Sequence, residues 1–335
     1  MKITLPVLFL LCFIFFFSFQ SFIKKEPTTN LSQTEKQTII HKIDSLLSKN
    51  YVFPEMAKKI SDLLLTNLKK GTYDDINEYV AFKERITEDL RSINQDTHLR
   101  LIYRPESSKE NMSERIYTIQ DSIAEIEEYK NKLRKQNFGF SELKILDGNV
   151  GYLKLNHFHS TAFCGETAVA AMNFLSNSDA IIIDIRNNYG GSPELIQLLT
   201  TYFFEGYPIH LNTFIYRPTN ERNQTWTLPY VLGKRMPTVK LYILVNEKTF
   251  SAAEEFAYNL QSLKRATIIG SKTSGSAHPG EEMKINNNFG IFIPTGRVEN
   301  SVTHTDWEGV GIIPNVETKS EEALDTAYKL AITEN

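Results

Sequence analysis

The sequence predicts an α/β domain with parallel strand pairing, preceded by a small N-terminal helical bundle. Three observations predict it. Residues 31–101 carry apolar side chains at helical spacing in three stretches joined by short links. From Gly148 onward, uninterrupted apolar runs such as Ala180 to Ile185 (AIIIDI) and Val239 to Val245 (VKLYILV) read as strands buried on both faces. Those runs alternate with helical segments, which is the pattern of βα units.

The N-terminus differs from the rest. Ile3 to Ile23 carries no charge, Lys2 precedes it and Lys24-Lys25 follow it. A cationic start and an apolar run read as an export signal, and the run also reaches the roughly 20 residues that a spanning helix needs. Residues 1–25 are therefore expected to be a signal peptide or a membrane anchor. The protein is expected to be exported, whether periplasmic, secreted or anchored facing outward. Cys12 lies in this segment and Cys164 is the other cysteine. Once the leader is removed a single thiol remains, so no internal disulfide is expected. Cys164 reads as a small buried filler.

The helical part is expected over 31–104. Thr38 to Leu47 and Met56 to Leu68 are amphipathic, and Pro54 suits the first turn of the second helix. Gly71 and Asp74-Asp75 break the pattern before a third segment, Ile76 to Ile93. Short links between three helices suggest an antiparallel bundle. Residues 105–145 are dense in charge and read as a solvated helical linker. The α/β domain fills 146–335. Its expected strands are Val150 to Leu155, Ala180 to Ile185, Val239 to Val245 and Ala266 to Ile269, with short β-like pieces at Ile291 to Pro294 and Val310 to Val316. Helices are expected over Thr167 to Leu175, Pro193 to Phe204, Ser251 to Leu260 and Ser320 to Ile332.

The net charge is -3 and no long basic stretch with interleaved aromatics is present, which argues against a nucleic-acid partner. His157 and His159 stand two apart and would share one face of a strand, but no third ligand accompanies them. Neither a metal nor another cofactor is expected.

In α/β domains functional groups gather beyond the carboxyl ends of the strands. Three such ends stand out. After AIIIDI comes Arg186-Asn187-Asn188-Tyr189-Gly190-Gly191, where paired glycines could let backbone amides approach a ligand or could simply make a tight turn. After VKLYILV, Ser251 falls at a strand-to-helix transition, where a serine either caps the helix or acts as a nucleophile. After ATII comes a glycine-rich loop, Gly270 to Gly280, plausible as a cleft wall.

Together these segments resemble peptidase family S41, the tail-specific or C-terminal processing serine peptidases, and within it the branch of the tricorn core and the interphotoreceptor retinoid-binding protein. Asp184 to Gly191 fits the family's Asp-x-Arg-x-Asn-x-Gly-Gly, and Ser251-Ala252-Ala253-Glu254 its Ser-Ala-x-Glu. Gly270 to Gly275 matches the Gly-x-x-Thr-x-Gly loop. Glu308 to Val316 matches the terminal signature with Asn315 in place of Asp. Tyr51 to Glu55 and Asp96-Thr97-His98-Leu99-Arg100 resemble elements of the retinoid-binding-protein-like branch.

The resemblance implies a ClpP/crotonase-like α/β core and a serine peptidase acting on exported polypeptides or short peptides. Ser251 would be the nucleophile. Many relatives use a lysine directly after the Gly of Thr-x-Gly; here that position is Ser276, and Lys272 is out of register. The tricorn-like alternative makes His98 the general base, Thr97 the supporting hydroxyl and Glu308 the orienting carboxylate. Gly191 (or Gly190) and Ala252 would supply the oxyanion amides. Ser276 and His278 would line the cleft, with His278 the rival base. Asp184 and Arg186 would anchor the glycine turn. The rival functional reading is a non-catalytic carrier of an apolar ligand, as in retinoid-binding-protein modules, and a third is a surface scaffold.

Overall fold

The computed structural model describes residues 31–104 and 119–333. The expected export segment, 1–25, and part of the charged linker lie outside the described residues. No helix among the described residues is long and apolar enough to cross a membrane.

Three helices open the fold: α1 (Gln33–Asn50), α2 (Pro54–Lys69) and α3 (Tyr79–Arg91). Ser32 and Glu35 form a capping box at the start of α1, satisfying amides that a helix end leaves open. Pro54 occupies the first turn of α2, where its missing N–H costs nothing. These helices do not close a bundle by themselves. Strand β1 (Arg100–Tyr103) follows them and pairs antiparallel with a distant strand near the C-terminus. The core under the helices includes Ile39, Ile43, Ile60 and Phe82 together with Phe289, Ile291 and Ile293 of that distant strand. The two halves of the chain therefore share one apolar interior.

The linker is helical over α4 (Ile119–Lys135), and the chain enters strand β2 (Phe140–Leu146) before the expected end of the linker at 145. Next come β3 (Val150–Leu155), α5 (Thr161–Leu175), β4 (Ala180–Asp184), α6 (Pro193–Thr201), β5 (His210–Tyr216) and β6 (Glu221–Trp226). Then follow β7 (Lys240–Val245), α7 (Ala252–Ser262), β8 (Thr267–Gly270), β9 (Gly280–Lys284) and β10 (Phe289–Pro294). The chain ends with β11 (Gly296–Asn300), β12 (Val316–Glu317) and α8 (Ala323–Thr333).

Six strands form the central sheet in the order β12-β8-β7-β4-β3-β2. All its pairings are parallel except β2 with β3. Alternate residues of each strand bury on opposite faces. Leu153, Ile181, Ile183 and Ile243 pack toward α5, α6 and α7, whereas Tyr152, Ile182, Tyr242 and Leu244 pack toward Ala323, Ala327 and Ala331 of α8. Small residues on α8 let it lie close against the sheet. Two three-stranded antiparallel sheets, β11-β5-β6 and β1-β10-β9, stand beside this core. The second fixes the site. Register pairs Arg100 with Phe292, so the residues just before β1 are brought beside the carboxyl ends of the parallel strands.

Candidate active site

The loop from β7 to α7 carries Ser251 at the helix start. Its backbone sits at φ 56 and ψ -123, a region that non-glycine residues adopt only under strain. Glu254 helps hold it there. One carboxylate oxygen accepts the Ser251 amide at 3.0 Å and the Ser276 amide at 2.9 Å, and the other accepts the Thr273 hydroxyl and the Gly275 amide, each at 2.6 Å. Glu254 is fully buried, and burial pushes its carboxyl up to about 7 against these four hydrogen bonds. The Ser-Ala-x-Glu spacing thus ties the Ser251 turn to the glycine loop.

The glycine turn after β4 lies against the same point. A Cβ on Gly190 would stand 2.7 Å from the Ala252 nitrogen and 2.9 Å from the Ser251 Cβ, and φ is +92 there. The Gly190 amide already donates to Asn188 Oδ1 at 2.8 Å. Asn188 also accepts the Phe250 amide at 3.0 Å through its carbonyl, which fastens one turn to the other. Gly191 forms an isolated bridge with Phe158, through the Ser192 amide and the Gly190 carbonyl; it lines the cleft, and its own amide has no hydrogen-bond partner among the described residues. Beneath the turn, Arg186 Nε donates to Asp184 Oδ1 at 2.9 Å, and Tyr152 donates to Asp184 Oδ2 at the same distance. Asp184 and Arg186 therefore bond within the turn's foundation.

His98 arrives from the other half of the chain. Its Nε2 stands 3.2 Å from Ser251 Oγ, a contact between residues 153 apart in sequence. The ring is 4.6 Å from Phe250 and stacked 5.8 Å from Phe292, centroid to centroid. Its backbone amide donates to Asp96 Oδ1 at 3.1 Å. Burial pushes the imidazole down to about 4, with Arg100, His278 and Arg91 adding to the shift and Asp96 opposing it. Nδ1 is buried without a hydrogen-bond partner among the described residues.

Thr97 and Glu308 lie close by but do not touch that ring nitrogen. The Thr97 hydroxyl bonds the Ser276 hydroxyl. Glu308 Oε2 accepts the Ala277 amide at 2.5 Å and the His278 amide at 3.3 Å, and lies 3.5 Å from His278 Nδ1. His278 Nδ1 is also 3.2 Å from Asp96 Oδ2, which accepts the Tyr51 hydroxyl at 3.0 Å. Burial works against protonation of His278, but the Asp96 hydrogen bond and the charges of Glu308, Asp96 and Asp306 outweigh it, so its affinity for a proton is raised. Burial pushes Glu308 up to about 7; the Asp96 and Asp306 charges reinforce this, whereas His278 and the Ala277 amide oppose it. The donor atoms of Asp96, His278 and Glu308 all lie within 4.8 Å of one another, the grouping among the described residues with metal-ligating chemistry. Within it, the His278–Asp96 bond crosses the junction of the two halves.

A cleft of about 680 Å³ joins these parts. Its lining includes Ser251, Ala252, Gly191, His98, Arg100 and Glu255. A second cavity of about 750 Å³ opens on the other side of His278, between Phe53, Met56, Asp96 and Glu308. The rings of His157 and His159 lie 4.4 Å apart, tilted by 54°, and His157 lines the main cleft. Cys164 is buried, donates to the His159 carbonyl at 3.3 Å, and burial pushes its thiol up to about 11, which suits a structural thiol.

Sequence reasoning assigned no role to Asp96, Arg100 or Glu255. Asp96 stands two residues before His98, and Glu255 one helical turn after Ser251, so spacing alone could have marked both.

The model of peptidase family S41 matches residues 149–318, half of the chain. The chain belongs to peptidase family S41. A second model, the N-terminal domain of this family in eukaryotic interphotoreceptor retinoid-binding protein, matches residues 30–141. This S41 chain is 29% identical over 170 residues to a carboxyl-terminal-processing protease of Synechocystis, a match over 50% of this chain and 37% of that protein. It is 28% identical over 172 residues to carboxyl-terminal-processing peptidase 2, chloroplastic, of Arabidopsis thaliana, covering 50% and 31%. The match therefore spans about a third of these relatives' own length. Among solved structures, the photosystem II D1 C-terminal processing protease superposes with a TM-score of 0.53 at 16% identity, covering 89% of this chain and 97% of that one. The tricorn protease gives 0.53 at 13% identity, covering 90% and 37%. At these identities the likeness is one of fold.

Proposed function

We propose that this S41 chain is a serine peptidase that cleaves polypeptides through an acyl-enzyme on Ser251, with His98 as general base. The observation that carries this reading is the 3.2 Å approach of His98 Nε2 to Ser251 Oγ at the strained start of α7. A serine hydroxyl needs a neighbouring base to become nucleophilic. A ring whose proton affinity is lowered by burial is neutral at pH 7 and so able to accept.

The steps follow from the atoms present. His98 Nε2 takes the Ser251 proton as Oγ attacks the scissile carbonyl carbon. The carbonyl oxygen becomes an oxyanion beside the amides of Gly191 and Ala252. The Gly190 amide is engaged with Asn188, so Gly191 is the better donor of the pair. The imidazolium then returns the proton to the departing amine, leaving an acyl ester on Ser251. Water attacks that ester, His98 accepts its proton, and Ser251 leaves with it. The ring is steered by Phe250 and Phe292 and by its backbone bond to Asp96. Thr97 acts through Ser276, and Glu308 acts through His278 and the loop 275–278.

The segment 1–25 supports export or outward anchoring, and hence exported polypeptides as substrates. The carrier reading fits the cleft less well, because Ser251, His98, Arg100 and Glu255 give its wall hydrogen-bonding and charged groups. A fluorophosphonate probe tests the proposal. Labelling lost in Ser251→Ala and weakened in His98→Ala is the expected result. An unlabelled wild-type protein that co-purifies with an apolar ligand would favour the carrier.

A further inference from the structure

Glu255 is a buried carboxyl that the proposed chemistry does not use. It follows Ser251 by one turn of α7, and its amide donates to the Ser251 carbonyl at 3.0 Å. Residues four apart share one helix face, about 6 Å apart along the axis. Both residues line the same cleft. The lining of that cleft also includes Phe214 and Tyr216 of β5, Asn223 and Thr225 of β6, and Gln197 of α6.

Its surroundings are polar but hold no cation. Glu255 is 5% exposed, and Asn212 Nδ2 donates to its Oε1 at 2.9 Å. Among the described residues no lysine, arginine or histidine bonds or pairs with it. The cleft's own cation, Arg100, is turned elsewhere: it donates to the His98 carbonyl at 3.0 Å and lies 4.6 Å over the Phe292 ring. Thr225, cross-strand partner of Asn212, is 9% exposed and its hydroxyl has no partner among the described residues. A carboxyl withdrawn from water without a counter-charge is costly unless something supplies one.

We infer that this part of the cleft is the subsite for a lysine or arginine side chain of the substrate, with Glu255 as its counter-ion. The inference rests on the peptidase reading of Ser251. The side chain preceding the scissile bond would pass between Phe214 and Tyr216, whose rings suit its methylenes. Its cationic head would reach Glu255 one helical turn from the nucleophile, a span comparable with an extended lysine. Asn223 and Thr225 offer oxygens to the remaining N–H groups. An apolar side chain would leave the carboxyl unpaired. A neutral carboxylic acid that merely ties α7 to β5 is the competing account, and a glutamine would serve that role equally well.

The test compares two peptides that differ only in lysine against norleucine before the scissile bond, in the full chain and in Glu255→Gln, with thermal melts to verify folding. The wild type is expected to favour lysine by about tenfold or more in kcat/KM, and Glu255→Gln to bring that ratio near unity. No preference in the wild type, or a preference untouched by Glu255→Gln, overturns the inference. A parallel arm measures binding of the same peptides to Ser251→Ala by calorimetry. There, tighter binding of the lysine peptide that disappears in Ser251→Ala/Glu255→Gln supports the subsite, and equal binding overturns it. Absence of fluorophosphonate labelling in the wild type would count against the peptidase reading, while the binding arm still decides the subsite.

Discussion

Nδ1 of His278 stands 3.2 Å from Oδ2 of Asp96, joining residues 182 apart in sequence. The other oxygen of Asp96 holds the His98 amide, so a contact between the two halves of the chain steadies the proposed base. Their side chains are 6% and 1% exposed. Removing one partner of a buried pair leaves an uncompensated charge, and the cost is about 3–5 kcal/mol. His278→Ala is expected to lose that much in denaturant unfolding, because Asp96 would keep only the Tyr51 hydroxyl and the His98 amide and lose its counter-charge. It is also expected to slow fluorophosphonate labelling of the folded protein. Labelling at the wild-type rate would show that the pair holds the halves together without steering His98.

The pH profile follows from His98. Its imidazole is lowered from 6.5 to about 4. The acid limb of kcat/KM should therefore fall near pH 4, and a limb near 6.5 would disprove the assignment. Stability shares the sign. The unfolded state binds the proton more readily, so this contribution is complete above pH 6.5 and is lost as pH falls toward 4.

Glu308 has the opposite sense. Its carboxyl is raised from 4.5 to about 7, so the folded state holds the proton more readily and stability falls as pH rises between those values. Glu308→Gln removes that titration. Relative to wild type, the variant is expected to look more stable at pH 8 than at pH 5 in paired unfolding curves. A difference independent of pH would mean that Glu308 does not titrate in this window.

Ser251 itself stores strain. At φ 56 and ψ -123 its Cβ is unwelcome, whereas glycine adopts such angles readily. Ser251→Gly and Ser251→Ala should both abolish labelling. Only the glycine variant relieves the backbone, so it should be the more stable of the two by about 1 kcal/mol after the entropy glycine adds to the unfolded chain. Equal melting temperatures would mean that the turn is held without strain.

Much of this fold was legible in the sequence, for identifiable reasons. The runs at β3, β4, β7 and β8 are buried on both faces, so hydrophobicity alone marks them. Strands β6 and β9 escaped because their exposed faces are polar: Glu221 to Gln224 and Glu281-Glu282 carry no apolar run to mark a strand. The short piece expected at 310–316 becomes a strand only at Val316–Glu317, because its glycines adopt left-handed φ and carry the chain through turns. At the site, sequence motifs marked Ser251, His98 and the glycine turn. They could not reveal that Glu308 meets His278, two loops 30 residues apart, or that Thr97 meets Ser276, a pair that depends on β1 docking against β10.

Gly190 packs directly against the Ser251 turn. At φ +92 an L side chain is strained whatever space surrounds it, and here the space is filled by the Phe250 carbonyl at 2.8 Å and the Ala252 nitrogen at 2.7 Å. These are backbone atoms and cannot rotate aside. Gly190→Ala must therefore push the glycine turn away from α7, moving the Gly191 and Ala252 amides apart. The expected cost is about 2 kcal/mol or more in stability. Because oxyanion donors act only at close range, activity should fall further, by about 100-fold in kcat with a smaller change in KM. Asn188→Ala provides the contrast: it removes the bond that holds the Gly190 amide but adds no atom at the joint, so it should loosen the turn with a milder loss of kcat. If Gly190→Ala kept full kcat, the glycine turn would not be part of the catalytic machinery.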